Sequence, residues 1–177
     1  MSGTLNYYLN PVGASIAVLD RERGQLQCLR PDVESAQRAA ELLERQAAIK
    51  AMRVYAASRT KHAEMWKTLR ADGLHIVSSW IDEAGPGQTA SLPELWQRIA
   101  AEVRGSNAFV LYVEPDDFPL KGAFIEAGMA LASSIPVVLV APGCKFEPPS
   151  FRPIGSWIKH PLCRFAGTVI DGLFDLV

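Results

Sequence analysis

Apolar residues fall into short runs along this chain, and the runs change character near residue 52. Before that point "ASIAVLD" and "QLQCLR" read as strands joined through "RERG", where Gly24 supplies the positive φ of a hairpin turn. Pro31 and Asp32 then punctuate the chain, and Asp32 is a good N-cap for "VESAQRAAELLERQAAIKA". In that segment Val33, Ala36, Ala40, Leu43 and Ala47 recur at helical spacing. Residues 1–51 are therefore expected to form a β-hairpin plus a helix, an addition too small to be stable alone.

From Met52 onward strands and helices alternate. "MRVYAA" is a short buried strand that ends in the polar loop "SRTK". "KHAEMWKTLRADG" is a helix with Ala63, Trp66 and Leu69 on one side, and "LHIVSSW" is the second strand. After the Gly/Pro loop "IDEAGPGQTA", Ser91 and Glu94 have the spacing of a capping box for "LPELWQRIAAEVRGS". "NAFVLYV" is the third strand, "EPDDFPLKG" a loop, "KGAFIEAGMALA" a helix and "IPVVLVAPG" a fourth strand. Beyond Pro148 the pattern predicts one more short strand and a terminal helix. Such alternation gives a parallel sheet sandwiched by helices over residues 52–177. Ligands of such sheets bind beyond the carboxyl ends of the strands. Here those ends are Ala56–Arg59, Ser78–Asp82 and Val113–Lys121.

Composition narrows the function classes. The 177 residues are about half apolar with a formal net charge of −1 and no block of like charge, which disfavours a nucleic-acid partner. No apolar run approaches the roughly 20 residues that cross a bilayer. "MSGTLNYYLNPVG" lacks the basic and apolar regions of a signal peptide. Cys28, Cys144 and Cys163 are far apart and odd in number, so free thiols in a reducing cytosol are expected. His62, His75 and His160 lack metal-ligand spacing. The expectation is a cytoplasmic protein without metal or cofactor.

One ionisable group stands out. Glu126 is set into a helix of small and apolar residues, where burying an unpaired carboxylate costs roughly several kcal/mol. It is either exposed, paired with Lys121 or Lys145, or used. Gly122 and Gly128 would leave room for something to approach the helix. Asp116 and Asp117 offer partners for acid or base chemistry, or serve as turn residues before Pro119. "YAASRTK" places a small-residue turn between a strand and a helix, where Ser58 and Arg59 can grip a phosphate or a sugar hydroxyl. Ser58 is alternatively a helix cap. Trp80 and Asp82, at the second strand end, face a ligand in this arrangement, although a Trp there also serves as a core lid. Tyr55 either holds a carboxylate through its hydroxyl or packs. Neither a Walker motif nor GxGxxG occurs.

Taken in order, "MRVYAASRTKHAEMWKTLRADG", "HIVSSWIDE", "GSNAFVLYVEPDD" and "KGAFIEAGMALASSIPVVLV" resemble the nucleoside 2-deoxyribosyltransferase superfamily and its 2′-deoxynucleoside 5′-phosphate N-hydrolase relatives. The likeness covers residues 52–142, and "RTKH" and "SSWIDEAG" look closest to a phage-associated branch. It implies a Rossmann-like, flavodoxin-type sandwich, commonly a homodimer or higher homo-oligomer. The family's nucleophilic Glu falls on Glu126 and its supporting Tyr on Tyr55. The loop contacting sugar or phosphate falls on Ala57, Ser58 and Arg59. Two positions depart from the family: Asn107 and Leu120 stand where Asp is common.

The activity implied is cleavage or transfer at the N-glycosidic bond of a (deoxy)nucleoside or nucleotide. Glu126 attacks the anomeric carbon, Asp117 (or Asp116) protonates the departing base, and Asn107 orients it, in the manner of retaining glycosidases. Gly122 gives the substrate space. The alternatives are a non-catalytic nucleotide sensor of the same fold, and an assembly protein in which Glu126 makes an inter-subunit salt bridge.

Overall fold

The computed structural model describes residues 6–85 and 89–177. Part of the Gly/Pro loop and the first residues of the chain, on which the reading of the N-terminus rests, lie outside these. The chain divides into two compact units, Met1–Ile49 and Lys50–Val177.

The first unit is a three-stranded antiparallel sheet, β1 (Tyr7–Val12), β2 (Ser15–Asp20) and β3 (Leu26–Arg30), followed by α1 (Val33–Ala51). The expected hairpin is β2–β3. Gly24 takes φ +64° in its turn, and the Arg23 N–H bonds the Asp20 carboxylate at 2.8 Å. The pattern did not predict β1, because Pro11 has no N–H for a ladder. β1 lies at the sheet's edge, where a Pro is tolerated. Asp32 starts α1 by accepting the Ser35 N–H at 2.7 Å, and this bond holds its carboxyl below the ordinary range. Val18 and the small residues Ala36, Ala39 and Ala40 form the centre of this unit, with Tyr7, Leu9, Ile16, Cys28 and Leu43 around them.

The second unit is built on four parallel strands in the order β4 (Val54–Ala57), β5 (Ala108–Tyr112), β6 (Val137–Val140) and β7 (Cys163–Ala166). The residues of β4 and β6 are buried throughout, as central parallel strands require. The expected second strand is reduced to one parallel bridge, Ile76 to Val54. Side chains explain why the ladder stops there. The Ala56 N–H donates to the Ser78 hydroxyl at 2.6 Å, and the Ala56 carbonyl accepts from the Trp80 indole N–H at 2.8 Å. Both ladder positions of Ala56 are thus filled by side chains, and the backbone turns away into a short 3₁₀ helix, Ser79–Glu83.

Counting the bridged segment, the strands run second, first, third, fourth, fifth across the sheet. This Rossmann-like order reverses direction between β4 and β5. The helices are α2 (Ala63–Ala71), α3 (Leu92–Arg104), α4 (Lys121–Ala132) and α5 (Val169–Phe174). The Ser91 hydroxyl caps α3 by accepting the Glu94 N–H at 3.4 Å. α4 packs on β4, β5, β6 and α3, while α5 packs on β5, β6 and β7. Strand alternation puts Tyr55, which meets α4, and Val138, which meets α5, on opposite faces. Gly172 explains the close approach of α5: a Cβ there would lie 2.2 Å from Val138 Cγ1. Among the described residues no helix is long and apolar enough to cross a membrane.

Candidate active site

Where the strand order reverses, Tyr55 projects from β4 toward α4 and its hydroxyl donates to Glu126 Oε2 at 3.2 Å. The Tyr55 ring is held flat on Phe109 of the neighbouring strand, 5.5 Å between centroids and 15° between planes. Glu126 is only 8% exposed. Burial pushes its carboxyl up to about 7; the Tyr55 bond pulls down and the charge of Glu102 pushes further up. Burial and the Glu126 charge raise the Tyr55 phenol, which stays a proton donor across the neutral range. Among the described residues no lysine or arginine is seen acting on Glu126, so neither Lys121 nor Lys145 pairs with it.

Glu126 opens onto a cavity of about 650 Å³, within the size range of small-molecule sites. One wall is the apolar stripe of α3, Leu92, Leu95, Trp96 and Ile99; Trp80 and the start of α4 form others. Ser58, Arg59, Thr60 and Lys121 supply polar groups. Gly122 leaves a gap, for a Cβ there would stand 3.6 Å from Glu126 Oε1 and 3.7 Å from Trp96 Cη2. Gly128, expected to leave space as well, is exposed with no neighbour within 4 Å of such an atom.

A second carboxylate cluster ties together the loops that follow β4 and β5. Asp117 is 1% exposed; its Oδ2 accepts the Glu114 N–H at 2.7 Å and lies 2.8 Å from His62 Nε2, while Oδ1 is 3.0 Å from Lys61 Nζ. Burial pushes Asp117 up, but the Glu114 N–H, His62 and Lys61 together outweigh it and hold the carboxyl below its usual range. Lys61 also reaches Asp116 at 2.8 Å and Glu114 at 3.4 Å, and these partners raise its own pKa. His62, Glu114 and Asp117 place ligand atoms within 4.8 Å of one another, a possible metal set, yet the Lys61 ammonium already supplies the positive charge there.

The sequence-named residues divide accordingly. Glu126, Ser58, Arg59, Trp80 and Gly122 line the cavity, with Tyr55 behind Glu126. Asp117 and Asp116 do not line it and are ion-paired in the clasp, which takes the expected acid away from the cavity. Asn107 sits at the amino end of β5, bonded to the Arg53 N–H at 2.9 Å. The whole of β5 at about 3.3 Å per residue separates it from the cavity end, so it cannot orient a base there. Asp82 pairs with Arg70 at 3.0 Å, and Ala57 is buried in its strand. The Ser58 hydroxyl accepts the Trp66 indole N–H at 2.9 Å and donates to the Arg59 carbonyl at 3.0 Å; it caps no helix.

Sequence reasoning missed Trp96, Leu95 and Leu92. Their spacing with Ile99 is that of an ordinary core stripe, but Leu92 is 64% exposed and the stripe covers a hollow. Comparisons with family models, curated proteins and solved structures find no match for this chain.

Proposed function

We propose that this protein cleaves or transfers at the N-glycosidic bond of a (deoxy)nucleoside or nucleotide, with Glu126 as nucleophile. The observation that carries this reading is a buried carboxyl at the edge of a nucleoside-sized cavity, with a tyrosine donor and no basic partner. Glu126 attacks the anomeric carbon, the base departs, and water or a second base resolves the glycosyl ester. Tyr55 stabilises the ionised nucleophile. Arg59 and Lys121 suit a phosphate on the sugar, and Trp80 and Trp96 line the cavity with aromatic surface for a planar ring.

Incubation with deoxynucleosides, nucleotides and NAD, read by chromatography for free base, tests the reading. Base release that disappears in Glu126→Gln is expected; release equal in the two proteins contradicts it. A second reading, a nucleotide sensor without turnover, is favoured by the placement of both loop aspartates outside the cavity. Calorimetric binding without any released base would select it.

A further inference from the structure

A glycosidic bond to a neutral base breaks readily only when the departing base is protonated on another of its ring atoms, so that it can take up the bonding pair. General-acid help of this kind contributes about 10²–10⁴ in rate. Among the described residues the cavity lining holds one carboxyl group, that of Glu126, and no histidine, cysteine or tyrosine. The other buried carboxylate, Asp117, is engaged by Lys61, His62 and the Glu114 N–H. Hydroxyl, ammonium and guanidinium groups complete the polar lining, and all are far weaker acids than a carboxyl.

What the cavity does offer suits a positive ring. The Trp96 ring and Glu126 Oε1 flank the gap at Gly122, 3.7 Å and 3.6 Å from the same point, and Trp80 lines the same hollow. A carboxylate shielded from water attracts a cation strongly, and an indole adds to this where the cation lies over its ring. Arg59 and Lys121 are available to a phosphate.

We infer that the cavity takes N-glycosides whose base is already cationic, N-alkylated pyridinium or purinium (deoxy)ribosides and their phosphates, and cleaves them without a general acid; this rests on Glu126 as nucleophile. A Glu126 oxygen forms a bond to the anomeric carbon as the carbon–nitrogen bond breaks. The bonding pair passes to the ring nitrogen and neutralises the base, so no proton is needed. Water then attacks the anomeric carbon, the ester bond breaks with its pair returning to Glu126, and the water's proton leaves to solvent. A positive ring beside Glu126 also opposes the upward push of burial, so the substrate ionises its own nucleophile.

Guanosine and 7-methylguanosine differ mainly in the charge of the base, which makes them the deciding pair; nicotinamide mononucleotide is the pyridinium probe. Base release is followed by chromatography and corrected for the rate seen with Glu126→Gln, whose folding is checked by its melting curve. The expected result is kcat/KM at least about 100-fold higher for 7-methylguanosine than for guanosine, with nicotinamide mononucleotide also cleaved. A smaller ratio, with both cleaved, overturns the inference and leaves the nucleophile intact. No cleavage of any probe above the Glu126→Gln rate overturns both.

Discussion

Asp117 and Glu126 are both buried carboxyl groups near the carboxyl ends of one sheet, and their surroundings drive them in opposite directions. Asp117 has a backbone N–H, a histidine and a lysine around it, and its pKa falls. Glu126 has one phenolic donor, and its pKa rises to about 7. Burial pushes both up, but at Asp117 the Glu114 N–H, His62 and Lys61 outweigh it, whereas at Glu126 a single phenol does not. The contrast separates a carboxylate tied to a lysine and a histidine from one at the edge of a cavity.

Replacing Glu126 gives the largest expected effect. Glu126→Gln should lower base release at least about 10³-fold, as removal of a nucleophile does. The same change should stabilise the fold at alkaline pH. A group whose folded pKa is raised from 4.5 to about 7 contributes stability below its ordinary pKa and loses it as pH rises through the folded value. Removing the ionisation should therefore gain up to about 3 kcal/mol above pH 8 and little at pH 4, by denaturant titration at the two pH values.

Asp117→Ala tests the other half. It leaves the Glu114 N–H and His62 without their acceptor, while Lys61 keeps Asp116 and Glu114, so a loss of about 1–3 kcal/mol in unfolding free energy is expected at pH 7. With a depressed folded pKa, the wild type should hold this advantage above the ordinary aspartate pKa and lose it as pH falls through the folded value. The folded fraction should keep base release within about tenfold; a fall of ~10²–10⁴ would return Asp117 to the role of acid.

Tyr55→Phe removes the donor to Glu126 and sharpens the contrast further. On the proposed mechanism only the ionised carboxylate attacks, so kcat/KM of the wild type should rise with pH and level off above about 7. In the variant that limb should move up by about one pH unit, the worth of one charge-assisted hydrogen bond. An unmoved limb would mean that another group titrates. The smallest effect belongs to Gly122→Ala. The added methyl sits in ordinary contact with Glu126 and Trp96, so stability should change by less than about 1 kcal/mol. KM should rise severalfold while kcat changes less, because the methyl occupies the space left for the ring.

Much of the fold was legible because local patterns carried it. The helix Lys121–Ala132 and the β2–β3 hairpin follow from spacing and turn chemistry within a few residues. β1 was hidden by Pro11, whose cost depends on the strand being central or at an edge. The second strand read correctly as apolar but could not reveal that Ser78 and Trp80 would take over the bonds of Ala56. At the site, Glu126 and Tyr55 were readable as unusual residue types in their segments. The ion pairs of Asp117 were not readable, since His62 lies 55 residues from it in sequence and Lys61 lies 55 from Asp116. The Trp96 wall looked like core because sequence spacing records which face is apolar, not what covers it.

Mass spectrometry of the protein trapped with 2′-deoxy-2′-fluoro nucleotides, carrying nicotinamide or adenine as base, tests the nucleophile most directly. The fluorine slows hydrolysis of the glycosyl ester, so the sugar mass should appear on the peptide containing Glu126 and be absent from Glu126→Gln. Base release without that adduct, or an adduct that persists in the variant, would contradict the account.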